Sequence, residues 1–277
     1  MSQLTACVRP RAAVSDAQVA LMYALFERYY DGVTYAQFQT DFTGKSHVIE
    51  LRDDDGLRGF STVALIEFTC DGVTRRAIFS GDTIIDHHYW GEQALPLAFC
   101  RFAGEVHAAQ PDTPLYWFLI SKGYRTYRYL PIFSLAYYPR HGVATPSGEQ
   151  ACLDQLARER FGANYDAARG ILNFPVSHGQ LKSEWADVRD TVSTRPDVRF
   201  FLQRNPGYRN GDELVCLTRL IPGNLRSYAR RAFLQGMSEF EHTGLLSTHQ
   251  RECGTIPRAA AASTGNTAAT AAAPAAA

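Results

Sequence analysis

Residues 80–95 read SGDTIIDHHYWGEQAL. An apolar, β-branched run enters two histidines, two aromatics and Gly91, and helix-forming residues follow. A strand that passes through a glycine turn into a helix presents backbone N–H groups at a helix N-terminus, where a phosphate can be held. The same text also describes an ordinary turn, and the flanking segments decide between the two.

Upstream, HVIELR (47–52), GLRGFSTVALIEFTC (56–70) and VTRRAIFSGDTIID (73–86) read as three strands. Asp71-Gly72 between the last two is a hairpin signal, because both residues tolerate positive φ. Asp53-Asp54-Asp55 reads as a solvated turn, since no second ligand cluster accompanies it. Before the meander, Ser15 caps a helix over AQVALMYALFERYY, and Thr34 caps a second over 34–42. Downstream, EQALPLAFCRFAGEVHAA reads as a helix to about residue 109, with Pro96 early, where proline costs least. LYWFLI (115–120) is a buried-type strand, 121–133 a short helix, and SLAYYPR (134–140) a further strand. The connection from 86 to 115 is long enough to make strands 73–86 and 115–120 parallel.

The expected fold is therefore α/β (α+β): a mixed, mostly antiparallel central sheet with helices on both faces. A mainly helical C-terminal extension follows. It has helices over 148–162, within 186–207 and over 223–237, and a strand at 212–221 that completes the sheet. The organisation reads as a core over 1–145, an extension over 146–252 packed on or completing it, and a disordered Ala-rich tail over 253–277.

Composition excludes several classes. Of 277 residues, 45% are hydrophobic and 20% charged, and 28 basic residues balance 28 acidic ones. A neutral chain is a poor candidate for nucleic-acid or anionic-membrane binding, which needs clustered positive charge, although a local basic face stays open. No apolar run reaches the roughly 20 residues of a spanning helix, and MSQLTACVRPRAAVSD lacks a signal-peptide core, so a cytoplasmic protein is expected. Six scattered cysteines without a CxxC pair read as buried reduced thiols. GxSxG, GxxxxGK[ST], GxGxxG and HExxH are all absent.

A meander whose last strand runs into a loop, a helix and a parallel strand resembles the GNAT superfamily of N-acetyltransferases. In that family the fourth strand ends in a valine-aspartate-proline step, followed by a tyrosine and a loop written Arg/Gln-x-x-Gly-x-Gly/Ala. Here the text is Ile85-Asp86-His87-His88-Tyr89-Trp90-Gly91-Glu92-Gln93-Ala94-Leu95. The β-branched residue, the aspartate and the tyrosine match. Trp90, Gln93 and Leu95 stand at the three signature positions and differ, and Glu92 adds a negative charge. The resemblance covers roughly 1–140 and implies acetyl-CoA or another acyl-CoA as donor. Ile84, Ile85, Asp86, Trp90, Gly91, Glu92, Gln93 and Ala94 would be the cofactor-binding residues. The N–H groups of the loop survive the side-chain changes, and an acyl-carrier-protein thioester, which lacks the nucleotide half, fits the altered loop better than free coenzyme A.

For chemistry, the resemblance implies a tyrosine acid just after the 115–120 strand. Tyr124, Tyr127 and Tyr129 lie there, and Tyr127 is the first choice, about one helical turn in. Each is also an ordinary packing aromatic. Glu67 and Asp82, carboxylates on the central hairpin, are the candidate bases; the alternative is a structural carboxylate paired with Arg75 or Arg76. Alternation places Ser80, Asp82, Ile84 and Asp86 on one face. Asp86 and His88 share it, but no third ligand is apparent, so no metal is expected.

The function implied is an acyltransferase moving an acetyl or other acyl group to an amine or hydroxyl of a small-molecule or protein acceptor. The alternative is a binding or assembly protein that keeps the fold without turnover. A third reading has the 146–252 block supply the site. Partners are the acyl donor and an unidentified acceptor; an acyl carrier protein and a homodimer stay open.

Overall fold

Asp71 and Gly72 both take positive φ, 52° and 73°, and close the hairpin that the sequence marks. Around it the computed structural model describes residues 4–175, 178–188, 190–244 and 246. The tail expected over 253–277 lies outside the described residues, as does Cys253.

The chain begins with β1 (Thr5–Pro10), α1 (Asp16–Phe26), β2 (Tyr30–Asp31) and α2 (Tyr35–Thr43). The meander is β3 (His47–Asp53), β4 (Gly56–Cys70) and β5 (Val73–Ile85), followed by α3 (Ala94–Ala109) and β6 (Leu115–Ser121). Then come α4 (Tyr124–Tyr127), α5 (Tyr129–Phe133), α6 (Ser147–Phe161), β7 (Tyr165–Asp166), β8 (Ile171–Leu172) and β9 (Gln180–Leu181). The chain continues through α7 (Ser183–Ala186), α8 (Asp190–Ser193), α9 (Pro196–Arg204), β10 (Glu213–Arg219) and α10 (Ser227–Thr243).

One eight-stranded sheet runs β1-β3-β4-β5-β6-β10-β8-β7. Only the β5–β6 pairing in it is parallel; the rest are antiparallel. The mixed, mostly antiparallel sheet is as expected, and β10 adds to it beside β6. A separate ladder joins β2 to β9. Among the described residues no helix is long and apolar enough to cross a membrane.

The sheet is covered on both faces. On one, α3 and α10 pack over Ile78, Ile85, Trp117 and Cys216. On the other, α6 packs over Phe79, Phe118 and Val215, while α1 and α2 pack over Val48, Phe60 and Ile84. Both N-terminal helices start where the sequence says. Ser15 forms a reciprocal capping box with Gln18, and Thr34 accepts from the Gln37 N–H.

Helices α3 and α10 meet at two glycines. A Cβ on Gly104 would lie 1.9 Å from the Phe233 carbonyl, and one on Gly236 would lie 1.9 Å from the Arg101 carbonyl. Only hydrogen fits between these backbones. Arg101 and Glu239 close the same crossing at 2.5 Å.

Two expectations need correction. The strand expected at 134–140 is not a strand. That segment makes single bridges, Ser134 to Leu225 and Tyr138 to Leu217, and Pro139 has no N–H to continue a ladder. The expected helix over 121–133 is two short ones, α4 and α5. β1 was not anticipated. It is an edge strand of six residues with one arginine and a terminal proline, too short to show a period.

Candidate functional site

The parallel pairing of β5 and β6 stops at Ser80 opposite Leu119. Beyond it the strands part, and a bulge shows why. Thr62 pairs with Gly81 and Phe60 with Ile84, so Asp82 and Thr83 oppose Ser61 alone. Asp82 takes φ 44°, a conformation aspartate tolerates better than most side chains. The extra residue shifts the alternation by one. Ser80 therefore points to the α3 face, where Trp117 Nε1 donates to its hydroxyl at 2.8 Å. Asp82 turns to the opposite face with Ile84. The expectation that all four even-numbered residues share a face is thus corrected: the simple period breaks at the bulge.

Three cavities meet where the strands part, and Thr83 and Thr126 line all three. The largest, about 470 Å³, lies on the α1/α2/α6 face. On the α3 face a space of about 30 Å³ is lined by Ser80, Pro96, Phe99 and Tyr129. At the open end, about 50 Å³ remains among Trp90, Tyr124, Arg125, Leu181 and Trp185.

The large cavity is charged. Lys45, 7% exposed, meets Asp82 Oδ2 at 2.7 Å and donates to Thr62 Oγ1 at 2.8 Å. Burial works against the Asp82 carboxylate, but Lys45, Thr62 and Lys122 outweigh it and hold its pKa below the usual value. Glu213, at the start of β10, is 6% exposed and sits 3.5 Å from Lys122. Burial, reinforced by Asp82, raises its pKa despite Lys122 and Lys45. Two carboxylates in one cavity are thus pushed apart in proton affinity, an arrangement that separates acid–base roles. Arg160, from α6, lies 4.1 Å over the Phe79 ring. Burial lowers the pKa of His178.

The site residues named from sequence divide. Asp82 lines the large cavity. Ile84, Ile85 and Trp90 line the open end. Glu67 is exposed and opposite Arg76, toward the Asp71–Gly72 turn and away from the gap. Tyr127 is fully buried against Phe200 and Phe201, and its hydroxyl donates to the Pro139 carbonyl at 2.9 Å. It is not among the residues lining the gap. Tyr129 is: it is 8% exposed, and its hydroxyl has no hydrogen-bond partner among the described residues. Burial pushes its pKa up, so it keeps its proton.

The loop after β5 is held by side chains. Asp86 is buried, caps the turn at His87–Tyr89 and pairs with Arg28 at 3.2 Å. Burial opposes its ionised form, yet His88, Arg28 and His87 hold its pKa down. Asp86, His87 and His88 bring three ligand atoms within 4.8 Å of one another. Arg28 and Tyr29, whose hydroxyl is 3.2 Å from His87 Nδ1, already engage them. Trp90 Nε1 donates to the Ile85 carbonyl at 2.9 Å, and Arg125 lies 4.6 Å over its ring. Gly91 takes φ 100°. Gln93 donates to the Gly91 carbonyl at 3.0 Å, so it braces the loop. Glu92 uses its N–H on Tyr89, and Ala94 opens α3, where first-turn N–H groups are free.

Glu213, Arg160 and Tyr129 are the residues that sequence reading missed or ranked second. Tyr129 carried a signal, its place after β6. The other two come from segments far along the chain and carried none.

No protein-family profile matches the chain, and neither does any curated protein. Among solved structures the chain is similar to a probable N-acyltransferase from Enterococcus faecalis, at 16% identity and TM-score 0.35. That match covers 50% of this chain and 37% of that one. It is similar to Escherichia coli ElaA at 14% identity and TM-score 0.33, over 53% of this chain and 95% of that one. It is similar to Arabidopsis thaliana NAA60, solved with a bisubstrate analogue, at 16% identity and TM-score 0.34, over 52% and 91%. These are distant likenesses of part of the chain. The order expected from the sequence is present: the β3–β4–β5 meander, the loop, α3 and the parallel β6.

Proposed function

We propose that the chain is a GNAT-like acyltransferase that passes an acyl group from coenzyme A, or from a carrier-protein thioester, to an amine. One observation carries this reading: β5 and β6 part after Ser80, leaving a gap with Glu213 on one face and the unpartnered Tyr129 hydroxyl on the other. The catalytic unit is residues 1–145 together with parts of 146–252, Glu213 above all.

The donor supplies an acyl carbon activated by sulfur. Glu213 takes the proton that the attacking ammonium must lose; its raised pKa makes it a better base near neutral pH than an ordinary carboxylate. Asp82, held ionised by Lys45, is the weaker base and fixes the cavity's charge. Tyr129 donates a hydrogen bond to the charge developing on sulfur. A thiolate of ordinary pKa, about 8.5, leaves without taking the phenol's proton outright. The first-turn N–H groups of α3 and the Arg125 guanidinium suit the phosphate end. Pro96 contributes no N–H there.

The second reading, a GNAT-like binding or assembly protein, is favoured by Leu181 and Trp185, which leave only about 50 Å³ at the open end. Calorimetry with acetyl-CoA and with an acylated carrier protein, followed by thiol-release assays over an amine panel, separates the two. Binding and turnover are expected. Tyr129→Phe is expected to lower kcat about 10- to 100-fold, while Tyr127→Phe leaves it unchanged. Binding of either donor without thiol release would establish the second reading instead.

A further inference from the structure

The large cavity holds three cations, and two of them are already matched. Lys45 is paired with Asp82 at 2.7 Å, and Lys122 faces Glu213 at 3.5 Å. Arg160 is different. Among the described residues no carboxylate lies within ion-pair distance of its guanidinium, which is positioned only by stacking, 4.1 Å over Phe79 and 6.0 Å over Phe161. Asp41 and Asp82 act on it only through space, and the Asp41 carboxylate accepts from Gln37 at 3.0 Å. A guanidinium stacked on an aromatic ring with its fork unused is the arrangement that receives a planar carboxylate by two parallel hydrogen bonds.

The rest of the wall mixes polar residues, among them Asp41, Thr83, Thr126 and Asn164, with a set of aromatic rings. Phe26, Tyr30, Phe79, Phe161 and Phe174 line the same cavity. Its volume, about 470 Å³, is within the range of small-ligand sites, roughly 300–1,000 Å³. Taking Glu213 as the place of the amine, which rests on the acyltransferase reading above, the cavity offers three things to one molecule. It has a proton acceptor, a free cation and an aromatic wall.

We infer that the acceptor is an amino acid with an apolar or aromatic side chain, its carboxylate bound by Arg160 and its amine directed to Glu213. The product is then an N-acyl amino acid. One ammonium proton passes to Glu213 and frees the amine, whose nitrogen bonds to the acyl carbon as the carbon–sulfur bond breaks; the second proton, lost as the amide forms, goes to solvent, and the sulfur departs as thiolate. Arg160 binds and does not react.

The test has a donor-free arm and a turnover arm. In the first, calorimetry measures binding of phenylalanine, phenylalanine amide and 2-phenylethylamine to the protein alone. Phenylalanine is expected to bind about 10- to 100-fold tighter than the other two, the worth of one or two charge-assisted hydrogen bonds. Arg160→Gln should erase that preference without weakening 2-phenylethylamine, and Arg160→Lys should restore part of it. In the second arm, thiol release from acetyl-CoA should show the same discrimination in KM with kcat little changed. Equal binding of the acid, the amide and the amine overturns the inference, as does a loss in Arg160→Gln that is the same for all three. If the first arm succeeds and no thioester is bound or consumed, the cavity assignment stands and the acyltransferase reading falls.

Discussion

Glu213 and Asp82 lie in the same cavity and differ by their nearest cations. Asp82 has Lys45 at 2.7 Å; Glu213 has Lys122 at 3.5 Å and is as deeply buried as a core side chain. The consequence can be read against pH. A carboxylate whose folded pKa is raised binds protons more tightly folded than unfolded. Its stability contribution is therefore complete below the ordinary value, 4.5, and is lost as pH rises through the raised one. Asp82 behaves in the opposite sense, contributing above its ordinary 3.8 and losing it as pH falls through the lowered value. Glu213→Gln is expected to remove the first effect, so that denaturation midpoints change less between pH 5 and pH 8 than in the wild type. Activity should move the other way. Wild-type kcat/KM rises with pH along a limb above the ordinary carboxylate range, and the Gln variant loses that limb together with about 10²-fold in rate. A wild-type pH–rate profile with no such limb would remove Glu213 from the mechanism. None of this was legible in the sequence, where Glu213 is one acidic residue before an apolar run. Its role comes from β10 pairing beside β6, which brings it into the same cavity as Asp82.

Elements were easier to read than their detailed junctions. The capping residues Ser15 and Thr34, the Asp71–Gly72 hairpin and the parallel relation of β5 and β6 follow from local rules about hydrogen-bonded helix ends, positive φ and crossover length. The bulge at Asp82 does not, because strict alternation presupposes an unbroken ladder. The covering of the gap was also invisible. β2 and β9 are two-residue strands without any period, yet their pairing, Tyr30 with Leu181, draws the 180–186 segment across the open end. Trp185 there stacks near Tyr29, His87 and Trp90, at 5.2 to 5.3 Å between ring centres. On the proposed function, a thioester arm entering at this end displaces part of the packing of this segment. Trp185→Ala is expected to lower the donor KM several-fold with kcat unchanged, since less packing is displaced on binding. A higher KM in steady-state assays would show instead that Trp185 itself contacts the donor.

At the scale of the molecule, the extension is part of the sheet and of its cover. β10 pairs with β6 along six residue pairs, and α10 lies on α3 at a crossing that admits no side chain at Gly104 or Gly236. Gly104→Ala is expected to force the helices apart at a cost of about 1–3 kcal/mol, measurable as a lower denaturant midpoint with an unchanged slope. An unchanged midpoint would mean that the crossing is loose in solution. The same crossing bears on how the protein is made. The face of α3 that takes α10, and the edge of β6 that takes β10, emerge from the ribosome long before their partners, with the chain from Ala109 to Glu213 synthesised in between. At roughly 5–20 residues per second that wait is on the order of ten seconds. Throughout it the nascent chain carries an uncovered apolar helix face beside an unpaired strand edge, the two features through which unfinished chains associate with one another.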